Sequence, residues 1–102
     1  MVARVTQYKI RPGKLEEFTS TVKSLTPALD RLKGFRVLLM LQGADPASRE
    51  ATSISVWESS ADLRNSDNDE FYYHVIAQLL KCCESFSPMR EEKVMVSKFA
   101  HP

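Results

Sequence analysis

A strong net charge, a long apolar run and spaced cysteines are all missing from this chain of 102 residues. Its 14 basic and 13 acidic residues nearly cancel, which argues against nucleic acid or an anionic membrane as a partner. No apolar run approaches the ~20 residues that span a bilayer. The N-terminal MVARVTQYKI also lacks the charged-then-apolar layout of a signal peptide. We therefore expect a cytoplasmic protein that binds neither nucleic acid nor membrane.

The two cysteines, Cys82 and Cys83, are adjacent. Adjacent residues are poorly placed for an ordinary disulfide, whose Cα atoms prefer a separation of about 5.5 Å. Metal sites usually need spaced cysteine pairs together with histidines, and the only histidines are His74 and His101. The sequence also contains no Gly-rich phosphate loop, HExxH, GxSxG or CxxC motif. It therefore predicts reduced, structural cysteines and neither a metal nor a cofactor.

Hydrophobic residues make up 43% of the chain and charged residues 26%, which is typical of a globular protein. The length fits one domain over residues 1–102. A chain this small buries roughly two-thirds of the surface that its unfolded form exposes, so a partner subunit would add usefully to a limited core.

Hydrophobic periodicity divides the chain into alternating strand and helix patterns. In the first strand, Arg4, Thr6 and Tyr8 share one face, where they either line a cavity or contact a second subunit. The predicted strands are 2–11, 35–42, 51–58 and 92–100, and the predicted helices are 14–33, 60–65 and 69–84. The apolar stripe of the last helix is Phe71, Tyr72, Val75, Ile76, Leu79, Leu80 and Cys83.

Several residues predict where the helices begin, bend and end. Pro27 lies inside the first helical pattern and predicts a kink or a break near residues 24–26, because proline removes a backbone donor. Gly34 is well placed as a C-terminal stop. Ser59 and Asp67 are each followed three residues later by an acidic residue, which is the spacing of a capping box.

The order βαββαβ is that of a ferredoxin-like α+β fold, a four-stranded antiparallel sheet with its helices on one face. The second strand, FRVLLMLQ, is apolar on both faces. The helices cover only one of these faces, and a large apolar face is unfavourable in water. The sequence therefore predicts a homodimer that forms through the open sheet faces.

Three stretches in this order and spacing resemble the antibiotic biosynthesis monooxygenase superfamily of dimeric α+β barrels. They are VARVTQYKIRPGKLEEF at the start of the chain, LKGF at 32–35 and SVWESSADL at 55–63. The resemblance covers almost the whole chain. It implies one of several activities, which are cofactor-free oxygenation of polycyclic phenols and quinols, haem degradation, or handling of small signalling molecules.

The resemblance also indicates which of these activities the chain fits. The haem-degrading branch has an asparagine in the first strand, a tryptophan in the short helix and a histidine in the long helix. Here the first two positions hold Thr6 and Ser66, and the third falls near His74 or Val75. Many quinol-monooxygenase-like members carry a histidine in the short helix, and this chain has Arg64, Asn65 and Ser66 there. Haem binding or degradation is therefore the least favoured of the activities.

Two candidate residues, Trp57 and His74, each have a chemical and a structural interpretation. Trp57 matches the family tryptophan at the end of the third strand and would hold a flat aromatic ring, although a lone tryptophan is more often a packing anchor. His74 is the candidate general base, because its ordinary pKa near 6.5 suits proton transfer. It lies at the edge of the apolar stripe, so a surface histidine is the simpler interpretation.

The remaining candidates are Tyr72, which would donate a hydrogen bond or take part in catalysis, and Thr6 and Arg4, which would bind the substrate. Tyr73 is off the stripe and is predicted to be exposed. The leading hypothesis is a cofactor-free monooxygenase that acts on an aromatic or quinol-like small molecule. The alternative is a non-catalytic dimer that binds a small ligand or a protein, and it predicts a helix–sheet cleft filled by side chains such as Phe18, Phe71 and Leu79.

Overall fold

The computed structural model describes residues 1–100, so His101 and Pro102 lie outside the described residues. Strands and helices follow one another in the order that the periodicity predicts, with one additional strand. The elements are β1 (Val2–Ile10), α1 (Leu15–Leu29), β2 (Phe35–Gln42), β3 (Glu50–Trp57), α2 (Ser60–Ser66), α3 (Glu70–Lys81), β4 (Cys83–Phe86) and β5 (Arg90–Lys93).

All strands of the sheet pair antiparallel, in the order β2-β3-β1-β4, with β5 also paired to β1. The strands β4 and β5 lie along successive parts of the same edge of β1, because β4 pairs with residues 8–10 and β5 with residues 2–5. The five strands therefore occupy four positions across the sheet. This is the predicted ferredoxin-like arrangement, with its last strand divided into two pieces.

The last third of the chain differs most from the sequence prediction. The helix predicted over 69–84 ends at Lys81, and Cys83 already belongs to β4. The strand predicted over 92–100 is observed as Arg90–Lys93. Every residue of this strand is charged and exposed, which suits a sheet edge that must not pair with other chains. The alternation of apolar residues at Val94 and Val96 therefore predicts the strand too far along the chain.

The helix α1 continues through Pro27 to Leu29 and has no break at residues 24–26. A proline at position 27 cannot donate a backbone hydrogen bond to the carbonyl of Lys23. The Thr26 hydroxyl donates to that carbonyl instead, at 2.9 Å. The neighbouring side chain thus satisfies the acceptor that proline leaves free, and the predicted break does not occur.

The buried apolar residues form two clusters between the sheet and the helices α1 and α3. One contains Tyr8, Ile10, Ala51, Phe18, Leu79, Cys82 and Cys83. The other contains Trp57, Leu25, Leu29, Leu63, Tyr72 and Val75. Both clusters use the sheet face that carries Tyr8 and Trp57, so this face is the inner one.

The opposite sheet face is open in the single chain, where Leu39 and Leu41 of β2 remain 49% and 48% exposed. Phe71 is also exposed, although it was predicted in the apolar stripe of α3. The buried positions of α3 are Tyr72, Val75 and Leu79, spaced by three and four residues. The prediction that Phe71 belongs to the apolar stripe is wrong, because Phe71 lies to one side of the narrower stripe that is observed. Tyr73 is exposed as predicted.

Gly34 joins α1 to β2 in a left-handed conformation, with φ of +79°, directly against the buried Asp62 of α2. A methyl group at this position would lie 2.7 Å from Asp62 Cβ. Gly13 has a similar φ of +76° but open space around it. Left-handed backbone costs an alanine about 1–2 kcal/mol at either position. We expect Gly34→Ala to lower the free energy of unfolding by a further ~1–3 kcal/mol, the range for overpacking.

Urea unfolding of the two variants measures this difference directly. Gly13→Ala is the matched control, because it changes the same backbone preference without the contact to Asp62. Equal losses of stability in the two variants would contradict the close approach.

Candidate active site

The inner sheet face carries a row of polar side chains beneath the helices. Arg4, Thr6 and Tyr8 come from β1, and Ser53 and Ser55 from β3. In the antiparallel register Thr6 lies opposite Ser53 and Arg4 opposite Ser55. Because side chains alternate across a strand, this register brings all five to the same face. Together with Tyr72 of α3, they line a cavity that we call the inner cleft.

The rest of the inner cleft is apolar and tightly filled. Its apolar lining is Val22, Leu25, Leu29, Leu38, Met40, Ile76, Leu79 and Met89. The cavity volume is about 30 Å³. Ligand pockets usually measure about 300–1,000 Å³, so the inner cleft holds no more than a water molecule or two in this conformation.

Hydrogen bonds hold the serines of the inner cleft in place. The Tyr8 hydroxyl and Ser53 Oγ lie 3.0 Å apart. Burial raises the pKa of Tyr8, while its hydrogen bonds to Ser53 and Thr6 act in the opposite direction. The phenol of Tyr8 therefore stays protonated at neutral pH and serves as a hydrogen-bonding group.

Arg4 forms the charged end of the inner cleft. Its two terminal nitrogens contact the two carboxylate oxygens of Asp67 at 3.1 and 3.2 Å. The Arg4 side chain is only 12% exposed, whereas that of Asp67 is 56% exposed. The guanidinium is therefore turned towards the protein interior, and its counter-ion lies at the surface.

Tyr72 lies beside Arg4 and is almost fully buried. Burial raises the pKa of Tyr72, and the positive charge of Arg4 partly opposes this effect. The hydroxyl is therefore a hydrogen-bond donor at neutral pH rather than a base. The arrangement can stabilise a negative charge that develops on a bound molecule, because a cation and a phenol converge in a space of low dielectric.

The inner cleft brings together three of the five predicted site residues, Arg4, Thr6 and Tyr72. Trp57 is fully buried, packs edge-to-face on Phe35 at 5.4 Å, and donates its indole N–H to Ser55 Oγ at 3.0 Å. Trp57 therefore lies behind the lining of the inner cleft and does not contact the cavity itself. His74 is exposed on α3, where its ring contacts Tyr73, and it does not line the inner cleft either.

The family model of antibiotic biosynthesis monooxygenases matches residues 1–77. The chain belongs to this family. No protein with a curated description matches it.

Solved structures share the fold of this antibiotic biosynthesis monooxygenase family member at low sequence identity. SnoaB, a cofactor-independent oxygenase from Streptomyces nogalater, is 16% identical with a TM-score of 0.79, and 94% of each chain is covered. A candidate antibiotic biosynthesis monooxygenase from Bacteroides thetaiotaomicron is 13% identical with a TM-score of 0.80, covering 99% of this chain and 95% of that one. One from Bordetella bronchiseptica is 14% identical with a TM-score of 0.79, covering 93% and 97%. These likenesses confirm the predicted α+β fold.

The sequence reasoning missed Ser53, Ser55 and Asp67 as residues of the site. The serines alternate with Thr52 and Ile54, so the sequence predicts that they share a sheet face with Trp57. It does not predict that they belong to the site, because only the pairing of β1 with β3 places them beside Arg4. Asp67 was assigned to a helix cap, but Asp69 caps α3 by accepting from the Tyr72 amide. Asp67 is thereby free to pair with Arg4.

Residues 1–100 contain neither a cluster of metal-binding side chains nor a membrane-spanning helix. No group of three or more His, Cys, Asp or Glu side chains in this range is arranged to hold a metal ion. No helix in the same range is long and apolar enough to cross a membrane.

The adjacent cysteines are buried at the end of α3. Burial raises the pKa of both thiols, to about 11 for Cys83. Because the thiolate is the reactive form, we expect neither to react with Ellman's reagent in the native protein at pH 8, and both to react in denaturant. Rapid labelling of the native protein would contradict the burial.

The folded state holds the thiol protons more tightly than the unfolded state does. The contribution of Cys83 to stability is therefore complete below the unfolded pKa near 9 and is lost as the pH rises through 11.

Proposed function

We propose that this protein is a cofactor-independent oxygenase that binds the hydroxyl end of a small phenol or quinol in the inner cleft. One observation carries the proposal, which is the convergence of six polar side chains in an otherwise apolar helix–sheet interior. They are Arg4, Thr6, Tyr8, Ser53, Ser55 and Tyr72. Burying polar groups is costly unless they are hydrogen-bonded, and the bonds Tyr8–Ser53, Trp57–Ser55 and Arg4–Asp67 hold them in place as preorganised groups for a ligand. The oxygenase named among the solved structures shares this fold.

The chemistry assigned to these residues is stabilisation of an anion. Arg4 faces the position where a phenolate would form and would lower the pKa of a bound phenol. Tyr8 and Tyr72 would donate hydrogen bonds to the same oxygen, because both phenols lie close enough to Arg4 to be affected by its charge. A deprotonated substrate has carbanion character and gives up electrons to O₂ directly. For a phenol, the balanced reaction converts one ring C–H, the O–H group and O₂ into the two C=O groups of a quinone and H₂O, and no external reductant is consumed.

The proposal assigns supporting roles to the other predicted residues. Trp57 would position Ser55 through the indole hydrogen bond rather than stack on the ring. Thr6 would line the floor of the site. His74 lies outside the inner cleft, so the substrate proton would leave to solvent rather than to this imidazole.

Oxygen consumption with a panel of phenols and hydroquinones of one to three rings tests this function. We expect enzyme-dependent uptake, above autoxidation, that is greatest for one- and two-ring compounds because the inner cleft is small. The His74→Ala variant should retain full activity. The absence of uptake with every compound in the panel would refute the proposal.

The volume of the inner cleft favours a second candidate function, a dimer that binds a ligand or a protein without catalysis. Phe18 and Leu79 fill the space between helices and sheet, although the exposed Phe71 does not. Titration calorimetry separates the two candidates. A compound that binds with its hydroxyl in the inner cleft but supports no oxygen uptake would favour the binding protein.

We also propose that two copies of the chain associate through their outer sheet faces. Leu39 and Leu41 are half-exposed on this face, and Val37, Ile54 and Val56 lie beside them. The patch carries no charge at its centre, so a copy related by a two-fold axis would be complementary to it. Analytical ultracentrifugation should therefore give a dimer, and Leu39→Glu should give a folded monomer. A wild-type monomer at high micromolar concentration would refute this.

A further inference from the structure

A second and larger cavity adjoins the inner cleft. It opens between α1 and the edge strand β2 and has a volume of about 250 Å³. Its walls are apolar and include Leu15 and Phe18, while the exposed side chains of Thr19, Lys23 and Gln42 stand around its opening. We call this cavity the vestibule.

Two side chains separate the vestibule from the inner cleft. Val22 of α1 and Met40 of β2 line both cavities, and both are half-buried. Met40 lies opposite Ser53 in the sheet register, and Ser53 Oγ is 3.0 Å from the Tyr8 hydroxyl. Met40 therefore lies beside the Tyr8–Ser53 end of the inner cleft and also lines the vestibule.

The two wall residues differ in mobility. Methionine is unbranched and flexible, so it can leave its position by rotations about single bonds. Valine is β-branched and has essentially one rotamer in a helix. Of the two wall residues, Met40 is therefore the one whose side chain can move aside, whereas Val22 is restricted to one rotamer.

We propose that Met40 is a gate, and that the ligand is an amphipathic aromatic molecule of about two rings that passes it hydroxyl first. The hydroxyl would bind at Tyr8 and Ser53, and the apolar rings would remain in the vestibule. Neither cavity suffices alone, because the inner cleft is too small and the vestibule offers no buried polar group. Once joined, they approach the ~300 Å³ lower limit of ordinary ligand pockets. The inference rests on the proposed function for the reaction, but not for binding.

Calorimetric titration with 2-naphthol tests the gate without any need for turnover. Truncation of the wall joins the cavities permanently, so Met40→Ala and Val22→Ala should each bind 2-naphthol about fourfold more tightly than wild type, the factor for burial of one more methylene-sized group. Met95→Ala is the matched control, because this methionine is 89% exposed and lines neither cavity. Thermal unfolding of each variant confirms that it is folded.

Unchanged affinity in both wall variants, or an equal change in Met95→Ala, would overturn the gate. So would the absence of 2-naphthol binding in every variant. The use of two wall variants keeps the test decisive where one of them fails to fold.

The orientation of the ligand has its own measurement. Naphthalene has the same rings and no hydroxyl, so Tyr8→Phe should weaken 2-naphthol binding and leave naphthalene binding unchanged. Equal losses for both ligands would overturn the hydroxyl-first orientation. Tighter naphthol binding by the wall variants without oxygen uptake would refute the oxygenase function while supporting the gate, so the two proposals fail separately.

Discussion

Replacing Trp57 by alanine is expected to lower the free energy of unfolding by about 3–5 kcal/mol, the range for large aromatic truncations in a core. The side chain is fully buried, and it belongs to the same cluster as Leu25, Leu29 and Tyr72. Its loss leaves a cavity between sheet and helices and also leaves Ser55 Oγ without its indole donor. Most domains have only about 5–15 kcal/mol of stability, so this variant approaches the limit of folding.

Chemical denaturation of three variants checks this expectation. Phe71→Ala is the matched control, since it removes an aromatic ring that is 48% exposed, and it should cost less than about 1 kcal/mol. Trp57→Phe retains most of the volume but loses the hydrogen bond to Ser55, so it should fall between the two. Similar stabilities for Trp57→Ala and Phe71→Ala would show that Trp57 is not the anchor of the core.

Trp57 also shows what the sequence can and cannot predict about this site. Its position at the end of a strand, and its role as a packing anchor, follow from the alternating pattern of residues 50–57. Its hydrogen-bond partner is only two residues away, on the same face of the same strand. Contacts of this kind are local, and a period of two is enough to predict them.

The parts of the fold that the sequence predicted poorly depend on non-local or compensating interactions. Nothing near Pro27 in the hydrophobic pattern reveals that the Thr26 hydroxyl will satisfy the carbonyl of Lys23. The short strand at residues 83–86 continues an apolar pattern that looks helical, and it forms because β1 offers an unpaired edge. The charged strand at 90–93 pairs with the same edge without any apolar alternation.

The candidate site shows the same division. The alternating pattern predicts that one face of β1 carries Arg4, Thr6 and Tyr8. It does not decide whether that face lines a cavity or contacts a second subunit, because this depends on where the helices pack. His74 is one position away from Val75, and this single step of about 100° around α3 separates a buried side chain from an exposed one. A sequence-based assignment to the edge of a stripe cannot resolve that difference.

Arg4 is the residue whose replacement should have the largest effect on activity. If the inner cleft stabilises a phenolate, Arg4→Gln should lower kcat/KM for oxygen uptake by about 10²–10³-fold, the loss found when one preorganised donor is removed from an anion site. The control is Arg36→Gln, because Arg36 pairs with Glu58 on the exposed surface and lies outside the inner cleft. That variant should retain wild-type activity.

The same variant has a readout that does not depend on turnover. Arg4 acts to lower the pKa of Tyr72 against the larger effect of burial. Its removal should therefore raise the pKa of Tyr72 further, and spectrophotometric titration of the tyrosines should show one group ionising at higher pH in Arg4→Gln than in wild type.

Removal of the Asp67 carboxylate, the counter-ion of Arg4, should instead increase activity. Asp67→Asn leaves the Arg4 charge unpaired, and it should cost under about 1 kcal/mol of stability because the Asp67 carboxylate is exposed. Its unpaired guanidinium should bind the substrate anion more tightly, which lowers KM. An Arg4→Gln protein that keeps full activity, with an unchanged tyrosine titration, would place the reaction elsewhere in the molecule.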